Sequence, residues 1–123
     1  MVIITLSIVL QLLLGFVFLM TGFGKILGTK MQVESFEHLK FKKEFRVVTG
    51  LAQIVGVIGL IIGIWYPGVA SLSGIWIGII MIGAAVAHIR VKDPFSKAVP
   101  AVVLCIVAFF IMLLNISELT KLF

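Results

Sequence analysis

The chain has 123 residues, room for one domain, and is 62% hydrophobic with only 12% charged residues and a mean hydropathy of +1.30. A soluble domain of this size cannot hide that much apolar surface, whereas a lipid bilayer is a solvent that accepts it. The net charge of +5 does not point to nucleic acid, because the basic residues lie between apolar runs and read as membrane-surface charges.

The first apolar run covers residues 2–24, and its polar side chains are Thr5, Ser7, Gln11 and Thr21. At about 1.5 Å per residue it measures about 34 Å, enough to cross a bilayer. It lacks a basic leader and is too long for a secretory signal, so it reads as a retained helix. The connection that follows, 25–44, is long for a helical bundle. Met31, Val33, Phe36 and Leu39 could form the apolar side of a short helix lying on the membrane surface, with His38 a solvated residue beside them.

The second run, 45–64, is closed by "WYPG", aromatic residues suited to an interface followed by a tight turn. The third, 69–89, is broken by "RVKDPF", where Pro94 ends the helix and Asp93 turns the chain beside it. The fourth is 97–116, with Pro100 expected in its first turn, where a missing N–H matters least. Cys105, the single cysteine, sits in this run and reads as a packing residue, with no partner for a disulfide or a CxxC pair. Four spans with mostly short connections predict an all-α polytopic membrane protein: one transmembrane domain over 1–123, folded as an up-down-up-down four-helix bundle.

Small residues set the expected packing. Gly59 and Gly63, and Gly74 and Gly78, have the spacing of close helix approach, as contacts within one bundle or as a face for a second copy of the chain. Charge sets the expected orientation. Counting the flanking span ends, the first connection (25–46) carries six basic residues (Lys25, Lys30, Lys40, Lys42, Lys43, Arg46) and the third (88–97) carries three (Arg90, Lys92, Lys97), against Lys121 alone on the other side. The bias places those connections in the cytoplasm and both termini outside.

Polar residues inside the spans need a reason. Thr21 and Lys25 end the first span on one stripe that also carries Gln11. Thr49 and Gln53 lie early in the second, Gln53 about 10 Å deeper than Arg46, and His88 closes the third. Since adjacent spans are antiparallel, Lys25, Gln53, His88, Thr21, Thr49 and Arg90 are expected to converge at one end of the bundle. Each also has a local alternative: Lys25 and Arg90 reaching the headgroups, Gln53 tying two helices together, His88 bonding a backbone carbonyl. Trp76 reads as core packing or as a platform for a flat ligand. No metal-ligand set, nucleophile triad or phosphate loop is present, and one intramembrane histidine argues against bis-histidine haem ligation.

"GFVFLMTGFGKILG" ending the first span, "GLAQIVGVIGLIIG" in the second and "MIGAAVAHIRVKDP" closing the third resemble the DoxX-like small membrane proteins. The likeness covers nearly the whole chain and implies the same four-helix order. The family pattern usually carries a glutamate where this chain has Gln53, which removes any proton exchange at that position. The resemblance implies a bacterial plasma-membrane protein linked to quinone redox or stress chemistry, since the name-giving member resembles a subunit of a thiosulfate:quinone oxidoreductase. It also admits an assembly helper for another membrane protein.

Three functions follow from these readings. The first is a membrane subunit of a redox system, not an enzyme alone, holding a quinone-like molecule among the helices: Lys25 and His88 would bond its oxygen, and a redox partner would deliver electrons. The second is a non-enzymatic scaffold working through Gly-rich faces and basic loops. The third, a small multidrug exporter, needs a membrane-embedded carboxylate, and Glu34, Glu37, Glu44, Asp93 and Glu118 all lie in connections or at span ends.

Overall fold

The structure is a computed structural model that describes residues 2–119. It contains five α-helices: α1 Val2–Leu27, α2 Lys30–His38, α3 Lys43–Ile62, α4 Pro67–Arg90 and α5 Phe95–Leu119. All but α2 are long and apolar enough to cross a membrane. They form a ring in which α1 packs on α3, α3 on α4, α4 on α5 and α5 on α1. Contacting pairs run in opposite directions along each neighbour: Thr21 meets Gln53 while Gln11 meets Leu60, and Gly56 faces Ile77 while Gly63 faces Ala70. This is the up-down-up-down bundle expected from four apolar runs joined by short turns. Leu14, Phe18, Leu60, Ile77 and Ile111 fill its core, while Leu13, Phe16, Ile58, Ile79 and Ile106 face outward. An apolar exterior of this kind suits lipid.

The glycines let the helices come close inside the bundle. A Cβ at Gly63 would lie 2.6 Å from Ala70, one at Gly59 would collide with the Ser73 hydroxyl, and one at Gly78 would sit 2.6 Å from the Phe109 ring. Both Gly-x-x-x-Gly faces are therefore taken up by α3–α4 and α4–α5 contacts. Pro100 is not in the first turn of its helix: α5 begins at Phe95, so the proline sits one turn further in. The carbonyl it frees belongs to Ser96, which is exposed at the helix end and can be solvated.

The end of the bundle bearing Val2 and Leu119 has its own polar network. Ser7 donates to Gln11 Oε1 at 2.6 Å, Gln11 Nε2 donates to the Leu60 carbonyl at 2.9 Å, and Asn115 Nδ2 donates to Ser7 Oγ at 2.8 Å. Gln11 thus belongs to this set and not to the cluster around Lys25. Lys121 lies outside the described residues; the other nine basic residues all sit at the opposite end, on α2 or on the flanking helix ends and turns.

Candidate functional site

Three helices finish at that basic end, each in a left-handed residue. Gly28, with φ +77°, follows α1, and its N–H and that of Thr29 both donate to the Gly24 carbonyl, at 2.9 and 3.0 Å. Arg46 reaches over from α3, its Nε donating to the Lys25 carbonyl at 2.9 Å. A buried cation at a helix C-terminus meets carbonyls that the helix leaves unpaired. A Cβ at position 28 would lie 3.0 Å from Arg46 Nη2, so glycine is needed there for its φ and for space.

α2 and α4 end with lysines in the same conformation, Lys40 at φ 64° and Lys92 at φ 60°. The Phe41 N–H returns to the Phe36 carbonyl at 2.9 Å, and the Asp93 N–H to the His88 carbonyl at 3.0 Å. Such a turn brings the side chains at its two ends together, usually as an apolar pair. In α2 that pair is Phe36 and Phe41, with ring centroids 6.0 Å apart. In α4 it is His88 and Asp93, and the imidazole Nδ1–H donates to Oδ2 at 2.7 Å.

The other Asp93 oxygen accepts from His38 Nε2–H at 2.6 Å. Arg90 Nη2 donates to the Leu39 carbonyl at 2.7 Å, with its guanidinium 4.6 Å from the Phe41 ring centroid. These contacts fasten α2 onto the turn between α4 and α5. They give a partner to His38, which is exposed as expected, and tie Arg90, expected at this end of the bundle, to α2. Phe36 and the following Leu39 are buried as expected and Gln32 joins them, while Met31, expected on the same side, is exposed. Hydrogen bonds from His88, and next from His38, hold the Asp93 carboxyl below the usual carboxylate range.

Two cavities lie beneath α2. One of about 790 Å³ is bordered by Thr21, His38 and Asp93; the other, about 330 Å³, by Thr49, Phe45 and Gly83. Lys25, Gln53 and His88 border both, as do Gln32 and Ser35 of α2. Gly83 helps make the space, since a Cβ there would meet nothing within 4 Å.

The hydrogen bonds of this wall are unevenly filled. Thr21 donates to the Val17 carbonyl at 3.0 Å and accepts from Gln53 Nε2 at 2.8 Å. Gln53 is 1% exposed, and its Oε1 has no partner. Thr49 gives its hydroxyl to the Phe45 carbonyl at 2.8 Å. The Lys25 ammonium lies 6.0 Å from the Phe36 ring centroid. Trp76 does not join them: its indole N–H donates to the Ala52 carbonyl at 2.9 Å and the ring is 46% exposed. Twelve residues before His88 is about 120° round the helix, which takes Trp76 off the cavity face. Among the described residues no group of three or more His, Cys, Asp or Glu could hold a metal ion.

Four membrane-length helices, with a polar-walled cavity at one end under a short fifth helix, define a small polytopic membrane protein. The chain belongs to the DoxX-like family, whose profile matches residues 9–110 and so takes in Lys25, Gln53 and His88. It is 30% identical over 108 residues to the uncharacterized protein YdgD of Bacillus subtilis strain 168, an alignment covering 87% of this chain and 95% of that one. No solved structure matches it.

Proposed function

We propose that the chain is a membrane subunit or accessory of a quinone-linked redox or stress-response system and binds a lipophilic, quinone-like molecule beneath α2. The observation that carries this reading is the meeting of Lys25, Gln53 and His88, from three different helices, on the wall shared by two cavities. Lys25 offers a cation to a ligand oxygen. His88, backed by Asp93, has an Nε2 with no protein partner and can take or return a proton there. Electrons come from a partner protein in this scheme. The nine basic residues gathered at this end support putting it on the cytoplasmic side, in a bacterial plasma membrane with both termini outside.

The assembly-helper reading relied on Gly-rich faces and basic loops; of these, Gly59, Gly63, Gly74 and Gly78 are occupied within the bundle, which leaves that reading the basic loops alone. The test is direct binding. The full chain, purified in detergent, is titrated with a short-chain benzoquinone couple and observed by native mass spectrometry. Saturable one-to-one binding that is lost in Lys25→Met and His88→Ala, and kept in Trp76→Phe, is the expected result. Binding by none of the proteins, or equally by all of them, overturns the reading.

A further inference from the structure

We infer that the cavity wall selects a lipophile that donates hydrogen bonds, a phenol or hydroquinone, over a counterpart that can only accept them. The inference rests on the reading of the cavity as a ligand site and deepens it by naming the favoured form.

Two acceptors carried by residues of the wall are fixed by separate hydrogen-bond chains. The first is Gln53 Oε1. The Thr21 hydroxyl has given its one proton to the Val17 carbonyl, so toward Gln53 it can only accept. The amide must therefore turn its NH₂ to Thr21, which leaves Oε1 facing away, buried and without a donor. The second is His88 Nε2. A carboxylate accepts only, so Nδ1 of His88 carries the proton shared with Asp93, and in the neutral ring Nε2 presents a lone pair. Gln32 and Ser35 of α2 also border both cavities without side-chain hydrogen bonds, but each can accept as well as donate; the donor-only group there is the Lys25 ammonium, which has no hydrogen-bond partner.

A quinone carbonyl can take the Lys25 proton donor and leaves both acceptors unmet. A phenolic hydroxyl donates to an acceptor while its own oxygen still receives Lys25. Size permits this, since a cavity of about 150 Å³ holds a benzene ring and the smaller of the two here is about 330 Å³ with Phe36, Phe41 and Phe45 on its walls.

The test uses the full chain in detergent at pH 8 under anaerobic conditions, with three probes of one shape: a decyl-substituted benzoquinone, its hydroquinone, and the hydroquinone dimethyl ether. The hydroquinone is expected to bind at least about tenfold more tightly than either of the others, the scale of one buried acceptor gaining a donor. For the couple, each tenfold raises the midpoint of the bound form by about 30 mV. Thr21→Val, which frees the amide to rotate, and Gln53→Leu, which removes the acceptor, are each expected to shrink the ratio while leaving the folded chain monodisperse. Equal binding of hydroquinone and dimethyl ether would mean that the acceptors gain nothing from the ligand's hydroxyls, and overturns the inference; so does tighter binding of the quinone. In both cases the cavity remains a ligand site. Binding of none of the probes overturns that reading and the inference together.

Discussion

His38 and His88 share one carboxylate: His38 Nε2 lies 2.6 Å from one oxygen of Asp93 and His88 Nδ1 lies 2.7 Å from the other. The arrangement ties the short helix over the cavities to the histidine on their wall. In His38→Ala, amide hydrogen exchange across Lys30–His38 should speed up several-fold while the four long helices keep their protection. The factor stays small because the His38 side chain is 58% exposed, and exposed pairs contribute little. Unchanged exchange in α2 would mean that Arg90 and the Phe36–Phe41 contact hold it unaided.

The same carboxylate gives the docking of α2 an acid limit. Bonds from His88 and His38 lower the Asp93 pKa, so their contribution is present above the ordinary carboxylate value and is lost as pH falls through the lowered one. Protection of α2 should therefore persist through the usual carboxylate range and fail only below it. Asp93→Asn should remove this acid step and leave α2 weakly held at every pH. Loss of α2 protection within the ordinary carboxylate range would assign the docking to other groups.

Glycine positions separate packing from cavity space. Gly63→Val drives a side chain into Ala70, 2.6 Å from the new Cβ, and should cost about 1–3 kcal/mol as overpacking. Gly83→Ala meets nothing and should stabilise α4 by about 0.5–1 kcal/mol through helix propensity. Thermal unfolding in one detergent reads both signs. A larger residue, Gly83→Leu, should fold as well as the parent and exclude a ligand from the smaller cavity.

The bundle was legible because its signals are long: four apolar runs, each bounded by turns or charge. Lys25, Gln53 and His88 were legible for the same reason, as polar residues that lipid penalises. What the sequence hid is contact between distant segments. His38 and Asp93 are 55 residues apart, and their meeting depends on how α2 docks, which no local pattern reports. The turns that end α2 and α4 were masked by chemistry, since lysines at 40 and 92 occupy a conformation that glycine usually advertises. Six residues of spacing from His88 to Asp93, counted inclusively, were the available clue. Trp76 misled because aromatic character says nothing about which face of an all-apolar helix it lies on.

Arg46 was counted only as surface charge, and its role in α1 gives a final test. Its Nε–H donates to the carbonyl of Lys25, so the guanidinium fixes the turn of α1 that carries the Lys25 side chain. Arg46→Met keeps the stem and removes the charge, leaving a part-buried carbonyl without its charged donor; about 1.5–3 kcal/mol of stability should be lost. Arg46→Lys should recover only part of that, because an ammonium is a point donor without the planar fork that lies against Gly28. Gly28→Ala should be similarly harmful, through its positive φ and the approach to Nη2. If Arg46→Met matches the parent in thermal unfolding, water satisfies the end of α1 and the arginine is free for another partner.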